Sequence, residues 1–276
     1  MYEEYWRLQQ KPFENTPDPH FFYYSRKHEE ALSRMLYAIR ERKGAAILTG
    51  EPGCGKTLLS RVLLKELNTE QYQLAFIFNP RLSPLNLMKE IVYQLDSRIS
   101  SSSKINLLHY FNEILYANRN NNKGTVIVID EAQTIGHKNS FEELRLLLNF
   151  QLNDDFLLTL ILLGQPELKE KIDNLPQFKQ RFAVRYHLGA LTEDETGRYI
   201  RHRLKMAGSQ QEIFSEDVHM EIYRYSAGTP RRINNICDMA LLVGSAEGLD
   251  KVNRGVIREV AEDLEEIPVG SAQIRG

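Results

Sequence analysis

The 276-residue sequence predicts an α/β fold, with a parallel sheet covered by helices on both faces and a smaller all-helical domain after it. Three observations predict this. From about residue 44 to residue 188, nearly continuous apolar segments alternate with segments of helical periodicity, as in parallel sheets buried on both faces. After residue 188 the strand signal ends and only helical spacing remains. A glycine-rich segment lies at the first junction between a strand and a helix.

The elements follow in order from this alternation. The predicted strands are residues 45–50, 72–78, 125–130, 156–163 and the segment 185–188. The predicted helices of the same region are residues 28–42, 56–67, 84–95, 105–117 and 141–151. In the last part, helices are predicted over residues 192–206, 215–225, 231–246 and 253–265. Thr192, followed by Glu193 and Asp194, is a typical helix start.

Four parts are predicted along the chain. Residues 1–43 form an arm and a helix packed on the core, because prolines and aromatic residues crowd the stretch before residue 25. Residues 44–190 form the core that contains the sheet, and residues 191–267 form a small helical domain, here called the lid. Residues 268–276 are expected to be a disordered tail.

Composition and charge exclude several classes of protein. The chain has 35 Lys and Arg residues against 37 Asp and Glu residues, so it does not resemble a general polyanion binder. Two cysteines are too few for a disulfide scaffold and fit a reducing compartment. The first ten residues lack the apolar centre of a signal peptide, and no apolar run is long enough to span a membrane. We therefore expect a cytoplasmic protein.

The strongest motif is GEPGCGKT, residues 50–57, which lies between a predicted strand and a predicted helix. It matches the pattern G-x-x-x-x-G-K-[ST], whose backbone N–H groups surround phosphate groups at a helix N-terminus. Lys56 is expected to reach the β- and γ-phosphates and to act in catalysis, and Thr57 is expected to bind Mg²⁺. The segment predicts a P-loop NTPase with a three-layer α/β/α core. The expected nucleotide-binding residues of this segment are Gly50, Glu51, Pro52, Gly53, Cys54, Gly55, Lys56, Thr57 and Leu58.

The second motif is VIVIDEAQ, residues 126–133, in which an apolar strand ends in two carboxylates. Open parallel sheets bind ligands at the carboxyl ends of their strands. Asp130 is therefore expected to hold Mg²⁺ together with Thr57. Glu131 is the candidate catalytic residue that orients or polarises the attacking water.

Further polar residues lie where they could contact the γ-phosphate. Gln165 follows the fourth strand and is a candidate sensing residue, although a merely exposed helix-start position explains it equally well. Arg181 is the favoured arginine that would act on a neighbouring subunit's nucleotide, with Arg185 as the alternative. In GTPRRINN, Arg231 is the favoured nucleotide-binding arginine of the lid, with Arg232 competing.

Together these motifs resemble those of an AAA+ ATPase, in the order that this family shows. The segments KPFENTPDPHFFYYS, DEAQ, LLGQPEL, QRFAVRYHL and GTPRRIN are similar to the ExeA/GspA ATPases of the general (type II) secretion pathway, which are related to TnsC/TniB transposition ATPases. Gln165 departs from the Asn or Thr that is more usual in the family. Secretion members commonly continue into a transmembrane helix and a periplasmic domain.

The resemblance implies ATP and Mg²⁺ as ligands and a homo-oligomeric ring, such as a hexamer. The first hypothesis is an ATPase that remodels or assembles a protein partner in secretion or envelope-polysaccharide machinery. Such a protein would be cytoplasmic, or peripheral at the inner membrane through that partner. A second hypothesis is an ATP-dependent DNA-binding regulator of transposition, which the balanced charge does not favour. A third is a nucleotide-gated scaffold with negligible hydrolysis.

Overall fold

The computed structural model describes residues 2–152, 155–215 and 217–266. The strands are β1 (Ala45–Gly50), β2 (Tyr72–Ile77), β3 (Gly124–Ile129), β4 (Leu158–Gly164) and β5 (Phe182–Leu188). The α-helices up to the last strand are α1 (Tyr2–Tyr5), α2 (Arg26–Arg40), α3 (Lys56–Glu66), α4 (Pro84–Leu95), α5 (Lys104–Asn120), α6 (Lys138–Leu147), α7 (Pro166–Asp173) and α8 (Pro176–Lys179). After it come α9 (Glu193–Met206), α10 (Val218–Ser226), α11 (Pro230–Ala246) and α12 (Arg254–Glu266). Short 3-10 turns cover Pro19–Phe21 and Ala132–Thr134.

The chain divides into two compact units. The sheet unit contains residues 26–52 and 56–189, and the helical unit contains the described residues among 2–25, 53–55 and 190–266. The division into residues 1–43, 44–190, 191–267 and 268–276 stays a prediction. Residues 267–276, including the expected tail, lie outside the described residues.

The sheet unit is built on a five-stranded parallel sheet in the order β2-β3-β4-β1-β5. This confirms the predicted α/β class and the parallel sheet. Since β3, β4 and β1 are consecutive in the sheet, their carboxyl ends lie side by side at one edge. The segments that follow these three strands contain the phosphate-binding motif, the two carboxylates and Gln165.

The strands are apolar because both faces of the sheet are covered. In β1 and β4 every residue is buried. Ala45 and Ile47 of β1 belong to a core that includes residues of α4 to α8. Ala46 and Leu48 alternate with them and are also buried, and α2 and α3 both contact β1. Burial of this kind contributes roughly 25 cal/mol per Å² of apolar surface.

Several element boundaries differ from those that the pattern predicts. The helix expected over residues 141–151 begins at Lys138 and ends at Leu147, where turns lead to an antiparallel bridge between Gln151 and Phe156. Helix α5 extends three residues beyond the predicted Ala117, because Asn121 closes its end by bonding back to the Ala117 carbonyl. The helices α1, α7 and α8 are absent from the prediction because four to eight residues show too little periodicity.

The helical unit joins both ends of the described chain in one core. Trp6 is 1% exposed, and its indole Nε1 donates to the Leu241 carbonyl of α11 at 2.8 Å. Arg203 of α9 is 3% exposed and donates to the Glu14 carbonyl at 2.9 Å, while its guanidinium lies 4.6 Å from the Phe21 ring centroid. The N-terminal residues are therefore part of the core of this unit, and Arg203 is buried although it lies in a basic stretch of sequence.

Replacing Trp6 with alanine should destabilise the helical unit by about 3–5 kcal/mol, because it removes a fully buried aromatic side chain. Trp6→Phe should cost less, since the smaller ring fills part of the space and only the indole N–H is lost. Denaturant unfolding followed by circular dichroism measures both variants. Equal stability of Trp6→Ala and the unmodified protein would show that the N-terminal segment contributes nothing to this core.

Candidate active site

The phosphate-binding motif connects β1 to α3, as its sequence predicts. Lys56 is the first residue of α3 and is 5% exposed, so its ammonium group is held inside the protein. Its Nζ donates to the carbonyl of Gly50 at 2.7 Å and to that of Glu51 at 2.9 Å. The loop's own carbonyls therefore position the cation at the carboxyl end of β1. Of the other expected nucleotide-binding residues, Cys54 is buried, Glu51 and Pro52 are exposed, and Thr57 and Leu58 are half-buried.

Within the helical unit, the middle of the phosphate-binding motif contacts the start of α11. The backbone N–H of Arg231 donates to the Gly53 carbonyl at 3.3 Å. Gly53 has φ +83°, and a Cβ atom there would lie 2.8 Å from the Arg231 Cβ. Any other residue would be strained in conformation and would collide with α11. Arg232 instead lines a cavity of about 160 Å³ with Tyr225, Asn235, Ile236, Ala261 and Leu264.

Thr57 and Asp130 come from different elements and meet directly. The Thr57 hydroxyl donates to Asp130 Oδ2 at 2.7 Å, across 73 residues of sequence. Asp130 follows β3, is 2% exposed, and accepts the Glu131 N–H at Oδ1. A hydroxyl and a carboxylate are hard oxygen donors of the kind that Mg²⁺ prefers, usually with phosphate and water oxygens completing its shell. The residues present therefore fit Mg²⁺.

Burial raises the pKa of the Asp130 carboxyl above its ordinary value. The hydrogen bonds from Thr57 and the Glu131 N–H oppose this effect, and the Lys56 ammonium lowers the pKa slightly. Desolvation disfavours the charged form of a carboxyl group, whereas a nearby cation favours it. A bound divalent cation would thus stabilise the ionised form of Asp130.

Glu131 has an unusual backbone conformation. Its φ is +50° and its ψ is 34°, in the left-handed region that residues other than glycine rarely adopt. The Thr134 hydroxyl donates to its carbonyl at 2.8 Å, in the short turn that begins after Glu131. Strained residues of this kind cluster at functional sites. The backbone therefore turns at Glu131, directly after Asp130, whose Oδ1 accepts the Glu131 N–H.

Gln133 is a site residue for which the sequence analysis assigns no role. Its Nε2 donates to Glu131 Oε2, and its Oε1 accepts the backbone N–H of Gln165 at 3.0 Å. Gln165 itself precedes α7 and makes no side-chain cap. The amide of Gln133 therefore connects the residues that follow β3 and β4. The only sequence signal was an amide two positions after a candidate catalytic carboxylate.

The two candidate arginines near β5 differ in their contacts. Arg185 forms an ion pair with Asp173 at 3.4 Å, donates to the Lys179 carbonyl and lies over the Phe182 ring. Arg181 donates to Asn149 Oδ1 at 2.8 Å, and within the described part of the chain it has no carboxylate partner. Arg181 is therefore the less restrained of the two.

The comparisons with known proteins agree with this architecture. The family model described as AAA domain matches residues 39–172, from the end of α2 to α7. The chain contains an AAA domain. This match agrees with the expected nucleotide-binding core. The AAA domain match includes the phosphate-binding motif, both carboxylates, Gln133 and Gln165.

The resemblance to secretion ATPases is also confirmed. The chain is 37% identical to General secretion pathway protein A of Aeromonas hydrophila over 267 aligned residues. These residues make up 96% of this chain. The alignment covers 48% of that relative, so this AAA protein spans about half the relative's length.

Solved structures share the fold at low sequence identity. The Aeropyrum pernix ORC2 protein superposes with a TM-score of 0.68 at 17% identity, covering 92% of this chain and 72% of that one. The Aeropyrum pernix ORC1 protein in complex with DNA superposes with a TM-score of 0.66 at 15% identity, and the alignment covers 94% of this chain and 70% of that one. These likenesses confirm the AAA fold.

Within residues 2–152, 155–215 and 217–266, no helix has both the length and the apolar character needed to cross a bilayer.

Proposed function

We propose that this chain binds ATP with Mg²⁺ and hydrolyses ATP to ADP and phosphate. The contact between Thr57 and Asp130 is the observation that carries the proposal. It places a hydroxyl at the start of α3 against a carboxylate at the end of β3, with Lys56 and Glu131 as their chain neighbours. This is the donor set that phosphoryl-transfer sites of P-loop enzymes use.

Each residue has a defined role in the proposed reaction. The Lys56 ammonium offsets negative charge on the β- and γ-phosphates. Thr57 and Asp130 would hold Mg²⁺, whose contribution is to neutralise phosphate charge. The Glu131 carboxylate orients a water molecule and accepts its proton. The water oxygen forms a bond to the γ-phosphorus while the bond to the β–γ bridging oxygen breaks, so that ADP leaves with that oxygen.

The remaining predicted residues complete the proposed site. The phosphates are bound by backbone N–H groups of residues 50–58, and the hydrogen bond between Arg231 and Gly53 supports Arg231 as the lid arginine. For Gln165 we propose that the important contact is the hydrogen bond from its backbone N–H to Gln133 Oε1. We also propose that the Gln165 side chain senses the γ-phosphate.

We further propose that the chain acts as a homo-oligomer on a protein partner in secretion or envelope-polysaccharide machinery. The relative named General secretion pathway protein A supports this choice. Arg181 would then stabilise charge on the phosphate bound by a neighbouring copy, for which its lack of a carboxylate partner among the described residues is favourable. The cytoplasm is the proposed location, with a partner providing any attachment to the inner membrane.

Mixing two inactive variants tests whether Arg181 acts on a neighbouring copy. Arg181→Ala should lower kcat by roughly 10- to 100-fold, because it removes one charge-assisted contact to phosphate, and should leave ATP affinity nearly unchanged. Glu131→Gln should be inactive but should retain Arg181. A mixture of the two should regain activity, since Arg181→Ala subunits keep an intact hydrolysis site.

The matched control for this mixing is Arg185→Ala, which should weaken the contacts near β5 without the same loss of kcat. If Arg181→Ala alone is inactive and mixing restores nothing, Arg181 does not act between copies. Specific activity of the unmodified protein that does not rise with protein concentration would argue against an oligomer as the active form.

A DNA-binding regulator is the second candidate, favoured by the likeness in fold to an ORC1 protein in complex with DNA. The balance of 35 basic and 37 acidic residues argues against it. Measuring ATPase activity with and without duplex DNA over a salt series separates the candidates. Turnover that appears only with DNA, and falls steeply with salt, would replace the secretion proposal with this one.

A further inference from the structure

The orientation of the Gln133 amide is determined by its two partners. A backbone N–H can only donate, so the atom that faces Gln165 must be the amide oxygen. The amide nitrogen therefore faces Glu131, to whose Oε2 it donates. A carboxylate can only accept when ionised, so both contacts are satisfied in one orientation and neither is satisfied in the other.

We propose that Gln133 is a positioning residue for ATP hydrolysis, which fixes the Glu131 carboxylate and ties its orientation to the backbone at Gln165. This inference rests on the proposed ATPase function. The donor bond occupies Oε2 of Glu131, which leaves Oε1 to accept the proton of the attacking water. A movement of the chain between β4 and α7 would be transmitted through the amide to Glu131.

The surroundings of Gln133 keep its side chain in this place. A Cβ atom on Gly164, the last residue of β4, would lie 2.6 Å from Gln133 Oε1 and 2.8 Å from the Leu168 side chain. Only glycine leaves room for the amide at this point. On the other side, the Lys171 ammonium of α7 donates to the Gln133 carbonyl at 2.6 Å and to the Ile135 carbonyl at 3.0 Å. The backbone and the side chain of Gln133 are thus both anchored.

Only an amide supplies both contacts from this position. Alanine removes the donor to Glu131 and the acceptor for the Gln165 N–H. Glutamate keeps nearly the same volume and the acceptor, but it replaces the donor with a second negative charge beside Glu131. Comparing Gln133→Ala with Gln133→Glu therefore separates positioning of Glu131 from a merely structural role.

The experiment measures kcat, KM and the affinity for a fluorescent ATP analogue for the unmodified protein and both variants. We expect Gln133→Ala to lower kcat by about 10- to 100-fold, because a hydrogen bond to a charged group is lost, while nucleotide affinity changes little. Gln133→Glu should be at least as slow. Thermal melting checks that each variant is folded. If Gln133→Ala does not fold, Gln133→Glu still tests the proposal.

A double-mutant cycle with Glu131→Gln gives a second measurement. Because Gln133 acts through Glu131, adding Gln133→Ala to Glu131→Gln should not lower the residual single-turnover rate further. A purely structural role would lower that rate in both backgrounds.

Gln94→Ala is the matched control. Gln94 donates to Glu90 at 2.9 Å on the exposed face of α4, so the same kind of bond is removed outside the proposed site, and activity should not change. Normal kcat in Gln133→Glu would overturn the inference, since the donor would then be dispensable. Absence of turnover in the unmodified protein would instead overturn the proposed ATPase function.

Discussion

Replacing Glu131 with glutamine should leave ATP bound and slow its hydrolysis by about 10²- to 10⁴-fold, the usual contribution of a positioned general base. Glutamine has nearly the same shape and removes only the charge and the proton-accepting oxygen. The left-handed backbone at position 131 is no more strained with glutamine than with glutamate. The contacts of Asp130 with Thr57 and with the residue 131 N–H stay possible, so the Mg²⁺ and phosphate contacts should persist.

Two measurements check this prediction for Glu131. Steady-state phosphate release gives the loss of turnover, and equilibrium binding of a fluorescent ATP analogue shows whether affinity is kept. Glu113→Gln, on the exposed side of α5, removes a carboxylate without touching the site and should behave like the unmodified protein. Turnover near normal in Glu131→Gln would assign the role of base to another group.

Replacing Lys56 with alanine should abolish useful nucleotide binding, with an affinity loss on the order of 10²- to 10³-fold. Removing one member of a buried, hydrogen-bonded charge pair costs about 2–5 kcal/mol, and each 1.4 kcal/mol is tenfold in affinity. The ammonium is nearly fully buried and is held by two carbonyls of its own loop, so alanine leaves this position of the loop without its cation.

Lys56→Arg distinguishes charge from shape at the same position. A guanidinium is larger and planar and does not fit the space in which the Gly50 and Glu51 carbonyls hold a compact ammonium, so we expect Lys56→Arg to bind ATP poorly as well. Lys65→Ala is the control, since Lys65 lies in the last turn of the same helix and is exposed. Isothermal titration with ATP and Mg²⁺ measures all three variants. Binding of normal strength by Lys56→Ala would remove Lys56 from the site.

The parts of the site that could be predicted from sequence are those encoded in consecutive residues. The apolar strand before Gly50, the glycines and Lys56 form one local pattern, and so do the apolar strand and the carboxylates of Asp130 and Glu131. A parallel sheet brings the carboxyl ends of such strands to one edge, which is why both motifs could be assigned to one site before any contact was known.

The parts that could not be predicted depend on contacts between distant residues. Gln133 gains its role only because Gly164, 31 positions later, leaves room for its amide beside the backbone of Gln165. Nothing in the local sequence separates Arg181 from Arg185, since the difference is that Asp173 pairs with Arg185. Arg203 belongs to a basic stretch in sequence, yet the backbone of the N-terminal segment buries it.

The placement of Trp6 has a consequence for how the protein is made. The indole of Trp6 is synthesised 235 residues before its partner Leu241. At a synthesis rate of about 5–20 residues per second, the two are separated by roughly 10–50 seconds. During that interval the sheet unit, which is complete by residue 189, has its own partners available, while Trp6 still lacks Leu241. The core of the helical unit therefore closes only after residue 241 has been synthesised.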